Sequence, residues 1–185
     1  HATHLTESEM IGLANGKANV VLCPSTEGNL GDGLFPLIDY QKNDGQWSIG
    51  TDSHIGINPI EELKLLDYGQ RLISHKRNIF TSSEEGNSGD FAIKMATIAG
   101  RKAMNNFESN YFKVGEKLNA SIIDARSPLL STTMNEKLCA AILYTSDASN
   151  QLGTIINGKY HERNGTSNQK IQNDFVKTIN TLQNR

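Results

Sequence analysis

The sequence predicts an α/β fold with parallel strands, followed by a smaller β-rich segment and a terminal helix. Three observations predict it. Two short β-branched apolar runs, Ala18 to Cys23 and Trp47 to Asp52, each end at a loop, as strands buried in a parallel sheet do. Segments with apolar residues at intervals of three and four lie around them, so helix and strand alternate. Beyond about residue 112 that alternation stops, and short strand-like runs cluster around Gly158-Lys159.

The elements follow in order. Thr6 with Glu9 three positions on is a capping-box spacing, and Asn15-Gly16 closes a short helix carrying Met10, Ile11, Leu13 and Ala14. Val20-Val21-Leu22-Cys23 is a strand stopped by Pro24. Ser25 to Gly33, with Gly28, Gly31 and Gly33, is expected to be a loop. A short helical segment is expected around Leu37 to Gln41, and Asn43-Asp44-Gly45 signals a turn before the strand at Trp47. Pro59 opens a patterned helix with Ile60, Leu63, Leu66, Leu72 and Ile73 expected inward and Glu61-Glu62 at its positive end. A second helix is expected from about Asp90 to Asn105, with Ala92, Met95, Ala96 and Ala99 inward. Strands are then expected around Ser121 to Asp124, at Cys139 to Tyr144, and in a hairpin about Gly158-Lys159. The tail from Asn168 to Leu182, with Ile171, Phe175, Ile179 and Leu182, reads as an amphipathic helix.

Composition narrows the function classes. The 185 residues are 37% hydrophobic and 21% charged, which fits a folded domain rather than a disordered chain. A formal net charge of -2, without a basic run interleaved with aromatics, argues against a nucleic-acid partner. No apolar run reaches the ~20 residues of a membrane span, and no signal peptide is apparent, so a cytoplasmic protein is expected. Cys23 and Cys139 each sit in an apolar stretch and read as buried, reduced thiols. The chain opens at His1 without an initiator Met and reads as a segment of a longer protein.

Polar residues at the C-terminal ends of parallel strands converge on one site in an α/β barrel. Three such clusters are present: His1 and His4, Ser25 to Asn29, and Asp52 with His54. A carboxylate beside a histidine at a strand end can bind a metal and take a proton from metal-activated water. Local sequence leaves Asp52 two readings, that one and the N-cap of the next helix. His1 is a candidate acid/base or electrostatic stabiliser, or a surface residue. His4 has the same two readings, with helix capping added. His54 and Glu27 are candidate substrate contacts. Asn29-Leu30-Gly31-Asp32-Gly33 lacks the lysine and the spacing of phosphate-binding loops.

His1-Ala2-Thr3-His4, Leu22 to Gly33 and Ile49-Gly50-Thr51-Asp52-Ser53-His54 stand in the order typical of the amidohydrolase superfamily, which the chain resembles. The run Pro59 to Leu72, with Glu61-Glu62-Leu63 and Asp67-Tyr68-Gly69-Gln70-Arg71-Leu72, is similar to the branch that deiminates N-formimidoyl-L-glutamate. Guanine deaminases and chlorohydrolase-like deaminases share the strand-end pattern but usually carry Ser-Asn at the place of Thr26-Glu27. The resemblance implies strands six to eight of a TIM-type (β/α)8 barrel over residues 1–112. It further implies part of a small β-sandwich domain with a C-terminal helix over residues 113–185. It implies that Asp52 is a metal ligand and proton shuttle, that His1 stabilises the attacking nucleophile, and that one divalent metal, Zn2+, has its other ligands upstream. The implied partners are a small-molecule substrate and the missing N-terminal half, and a homodimer is compatible with it. A nucleobase deaminase and a non-catalytic module that kept these residues are the competing expectations.

Overall fold

The computed structural model describes residues 1–82, 86–108, 110, 112–163 and 166–184. The chain divides into two units, His1–Ser109 with Pro128–Asp147, and Asn110–Ser127 with Ala148–Arg185.

The first unit begins with α1 (Glu7–Asn15), whose Thr6 side chain accepts from the Glu9 N–H while Glu9 returns a bond to the Thr6 N–H, the expected reciprocal cap. Two strands follow, β1 (Asn19–Leu22) and β2 (Gln46–Ile49), paired in parallel from Asn19↔Gln46 to Leu22↔Ile49. Between them the segment expected as a loop forms a helix, α2 (Pro24–Leu30), with Pro at its first position and the left-handed Gly31 (φ 75°) as its C-cap. Those two residues are the usual start and stop of a helix, and Gly31 adopts its conformation without the Cβ penalty. Next come α3 (Leu37–Lys42) and the turn at Asp44 (φ 54°).

Two long helices complete the wall, α4 (Pro59–Ser74) and α5 (Ser88–Ala103). The expected inward face of α4 holds at Leu63 and Leu66, but Leu72 is 78% and Ile73 61% exposed. At ~100° per residue Leu72 faces away from Leu63, and Ile73 sits in the last turn. Asp67 and Gln70 occupy the inward positions instead, and Gln70 Nε2 donates to Phe35 O at 2.8 Å.

The segment Cys139 to Tyr144, expected as a strand, is helical. It belongs to α7 (Leu138–Thr145), which follows the single turn α6 (Pro128–Ser131). A short unbroken apolar run has no period that separates strand from helix, and Leu138, Ala140 and Ala141 are strong helix formers. Helix α7 packs on α5 at Gly89, where a Cβ would lie 2.2 Å from Ala140 N and 2.3 Å from the Cys139 carbonyl carbon. Because both obstacles are backbone, G89A is expected to destabilise the protein by about 1–3 kcal/mol, read as a lower urea midpoint.

The core joins these elements. Trp47 stacks on Phe80 (centroids 5.5 Å), Phe80 on Phe91 (6.3 Å), and Phe35 meets Tyr40 edge-on (5.1 Å). Met10, Ala14, Leu22, Leu37, Leu63, Leu66 and Leu143 fill the remainder, each large side chain contributing about 1.5–3 kcal/mol by burial. The two polar groups on buried rings are satisfied: Tyr40 OH donates to Ala18 O (2.7 Å) and Trp47 Nε1 to Gln41 Oε1 (3.2 Å).

The second unit is an antiparallel sheet of β3 (Ala120–Ile123), β4 (Gln151–Ile156) and β5 (Lys159–Glu162), in that order, with a bulge at Ile122/Ile123. Asn157 (φ 51°) and Gly158 (φ 83°) make the expected tight hairpin. Helix α8 (Thr166–Gln183) follows, and its expected apolar residues Ile171, Phe175 and Leu182 are exposed. Among the described residues no helix is long and apolar enough to cross a membrane, and Cys23 and Cys139 are not joined in a disulfide, the first being buried and the second half-buried.

Candidate active site

The C-terminal ends of β1 and β2 lie side by side, with Gly50 N donating to Leu22 O at 3.0 Å. Everything that follows the two strands therefore opens on one edge of the sheet. The His1 nitrogen donates to Val21 O at 2.6 Å, which brings the first residue alongside β1. At this edge His1 Nε2 lies 3.1 Å from Asp52 Oδ2, and His1 Nδ1 lies 3.4 Å from Glu27 Oε1. One imidazole is thus held between two carboxylates. They differ in access: the Asp52 side chain is 45% exposed and that of Glu27 1%.

Each carboxylate is positioned by local chain geometry. Glu27 stands in the first turn of α2, and its Oε1 accepts the Cys23 N–H at 2.8 Å. Burial pushes the Glu27 carboxyl above the usual carboxylate range; the Cys23 N–H opposes this, and Glu62 and Asp32 add to it. Its other oxygen, Oε2, is buried without a hydrogen-bond partner. Burial also pushes the Cys23 thiol up, with Glu27 the next contributor. Asp52 occupies the left-handed region (φ 47°), a conformation Asp tolerates better than most residues and one that collects at functional sites.

The N-cap reading of Asp52 is overturned, because α4 is capped by Asn58, whose Oδ1 accepts from Ile60 N and Glu61 N. Asp52 is therefore not engaged by the helix start. Thr6 likewise caps α1, and His4 is exposed. His54 sits two residues past Asp52, its Nδ1 accepting the Gly56 N–H at 3.1 Å.

Two side chains to which the sequence gives no individual role in the site, Thr26 and Glu62, build the floor. Thr26 Oγ1 donates to Thr51 O (2.8 Å) and accepts from His54 N (3.0 Å), clasping the loop that carries Asp52 from both sides. Glu62, 1% exposed, reaches from α4 to accept both Ser25 N (3.0 Å) and Ser25 Oγ, which fixes the start of α2. All four bonds link residues remote in sequence, so no local pattern announces them. Only its place in the first turn of a helix opened by Pro24 hints that Thr26 faces inward. T26V keeps the volume but removes both Thr26 bonds, leaving the Thr51 carbonyl and the His54 N–H with their bond to each other (3.0 Å). It is expected to cost about 0.5–1.5 kcal/mol, measured by chemical denaturation.

A histidine and two carboxylates gathered at the C-terminal ends of two parallel strands match the strand-end sites of α/β-barrel proteins. The Amidohydrolase family profile matches residues 1–160. The chain belongs to the amidohydrolase family. It is 30% identical over 184 residues to the formimidoylglutamate deiminase of Pseudomonas aeruginosa, covering 98% of this chain and 40% of that protein. It is 27% identical over 186 residues to the 5-methylthioadenosine/S-adenosylhomocysteine deaminase of Pyrococcus furiosus, covering 97% and 42%. Among solved structures, an amidohydrolase from Brucella melitensis superposes with a TM-score of 0.85 at 26% identity, over 98% of this chain and 40% of that one. An adenosine deaminase from Xanthomonas campestris with bound zinc shares the fold, with a TM-score of 0.77 at 17% identity over 98% and 42%. The chain thus spans about two fifths of the length of the relatives it matches.

Among the described residues no group of three or more His, Cys, Asp or Glu side chains is arranged to hold a metal ion. What the site does offer is one accessible carboxylate, Asp52, with a histidine against it.

Proposed function

We propose that this chain is the C-terminal part of a metal-dependent amidohydrolase that converts N-formimidoyl-L-glutamate to N-formyl-L-glutamate and ammonia. The observation that carries the reading is the His1 Nε2–Asp52 Oδ2 contact at 3.1 Å on the open edge of the two parallel strands. The 30% identity to a formimidoylglutamate deiminase along 98% of the chain supports the choice of substrate.

Asp52 fits a divalent metal as one ligand: it is a carboxylate, accessible, and free of capping duty. A catalytic zinc needs about three protein ligands, so the others come from the part of the protein before His1, and Zn2+ is the metal the family resemblance implies. When bound, the metal lowers the pKa of a water molecule and so makes a nucleophile available near neutral pH. Asp52 would act as the base that takes a proton from the attacking water as its oxygen bonds to the formimidoyl carbon. His1 Nε2, on the accessible side of the imidazole, hydrogen-bonds the oxygen as it gains charge. Asp52 would pass that proton to the terminal nitrogen and then carry the remaining hydroxyl proton to the same nitrogen, so that the C–N bond breaks, ammonia leaves and the formyl C=O forms. His54, whose backbone N–H is held by Thr26 two residues past Asp52, is the substrate contact in this reading.

The chain on its own carries one ligand of the set. It is therefore expected to bind Zn2+ no better than an ordinary surface carboxylate in isothermal titration and to release no ammonia from formimidoylglutamate. The complete protein is expected to release one ammonia per formimidoylglutamate. Preferential release from 5-methylthioadenosine, adenosine or guanine would move the assignment to the nucleoside and nucleobase deaminases, a reading favoured by the 27% identity to the Pyrococcus furiosus enzyme.

A further inference from the structure

We propose that Glu27 is a positioning residue for His1: from the buried start of α2 it holds the Nδ1 edge of the imidazole, so that Nε2 faces Asp52 and the substrate. The inference rests on the proposed reaction for its kinetic consequence, and on geometry alone for the placement. The two edges of the ring meet two carboxylates, Glu27 Oε1 at 3.4 Å and Asp52 Oδ2 at 3.1 Å. At 1% exposure Glu27 is closed to a ligand arriving from solvent, whereas Asp52 at 45% is open. Glu27 therefore acts on the reaction through His1.

Its own position is set three times over. Oε1 accepts the Cys23 N–H at 2.8 Å, which ties the side chain to the end of β1. Ser25 is bonded twice to Glu62, and Thr26 bridges to Thr51 and His54, so the turn that bears Glu27 is anchored on both sides. Oε1, which already accepts the Cys23 N–H, is an acceptor toward the ring as well. It therefore keeps a proton on Nδ1 and sets the plane of the ring, with Nε2 turned toward Asp52. A buried acceptor behind the working nitrogen is the arrangement by which histidines are oriented in metal and hydrolase sites. The unpartnered Oε2 fits the same role. An oxygen left unsatisfied in the interior is costly, and such groups persist where function requires them.

The test compares two near-isosteric variants in the complete, metal-loaded enzyme. E27Q keeps an oxygen that can accept from both Cys23 N and His1 Nδ1; E27L fills similar volume and accepts nothing. E27L is expected to lower kcat for formimidoylglutamate by about 10–100-fold with KM within about threefold, and E27Q to regain most of that loss. The second readout needs no substrate. A 15N–1H imidazole spectrum, with the His1 signal identified by its loss in H1N, is expected to show the Nδ1-bound proton of His1 in the wild type and in E27Q. In E27L that proton is expected to be displaced or lost.

If E27L raises KM and leaves kcat unchanged, Glu27 contacts substrate and the positioning role is overturned. It is equally overturned if the His1 spectrum is the same in E27L as in the wild type. Should E27L fail to fold, loss of the Nδ1 proton in a folded E27Q overturns the role, and its retention supports it. Failure of the wild type to act on formimidoylglutamate would sink the proposed substrate, and the spectra would still decide on Glu27.

Discussion

Replacing Asp52 by Asn in the complete enzyme is expected to lower kcat by roughly 10²–10⁴-fold, the range for losing a positioned proton-transfer group. Asn keeps the size of the side chain and tolerates the left-handed backbone found here (φ 47°), so the change removes charge and basicity and little else. KM is expected to change far less than kcat, because the proton is moved only as the reaction proceeds. The melting temperature is expected to stay within a few degrees of the wild type, since the side chain is 45% exposed and does not cap α4. Steady-state ammonia release, metal content and thermal unfolding on the same preparation check all three. A variant that keeps full activity with metal bound would remove Asp52 from the mechanism. Loss of metal together with activity would assign it the ligand role foremost.

The second large effect lies away from the site. Asp67, fully buried on α4, is 2.6 Å from Arg71 Nη2 and accepts the Tyr144 hydroxyl of α7 at 2.8 Å. The Arg71 guanidinium also sits over the Tyr68 and Tyr144 rings, 5.6 and 5.1 Å from their centroids. D67A leaves the Tyr144 hydroxyl proton without its acceptor and Arg71 with the Tyr144 oxygen (3.0 Å) in place of a carboxylate. Removing one partner of a buried pair costs roughly 3–5 kcal/mol, and because Arg71 is 25% exposed the lower end is expected, read as a shift in the urea midpoint. The same cluster predicts a pH effect. Burial first, and then the bond to Asp67, push the Tyr144 hydroxyl up to about 12 from an ordinary 10.0. The folded state thus holds this proton after the unfolded chain has released it. The stability contribution is complete below about pH 10 and is lost as pH rises toward 12. Y144F is expected to remove that alkaline slope.

Where local rules decide, the chain was legible. The Thr6–Glu9 cap and Pro59 at the start of α4 each follow from a backbone requirement that few residues meet, and the hairpin forms where expected with its turn one residue earlier, at Asn157-Gly158 rather than Gly158-Lys159. Structure departed from expectation where tertiary context decides. Helix α2 reads as a loop because its glycines mask a Pro24 start and a Gly31 stop. The run in α7 is uniformly apolar, and only its packing on Gly89 requires a helix. Phe80 lies in no periodic segment, yet is fully buried between Trp47 and Phe91. The candidate site follows the same division. His1, Glu27, Asp52 and His54 are residue types at strand ends and stand out in the sequence. Their separations, and the supporting bonds of Thr26 and Glu62, depend on contacts across the fold.

The assignment of α7 to the first unit bears on how the protein is made. The backbone passes from one unit to the other after residues 109, 127 and 147. On a ribosome the first unit therefore lacks Tyr144 and the Gly89 contact until β3 has already been synthesised. Domains emerging from the exit tunnel generally fold as units, the N-terminal one first. Here that order is interrupted. Until residue 147 clears the tunnel, the nascent first unit carries Asp67 without its tyrosine and an open face on α5, a state in which a chaperone has something to hold.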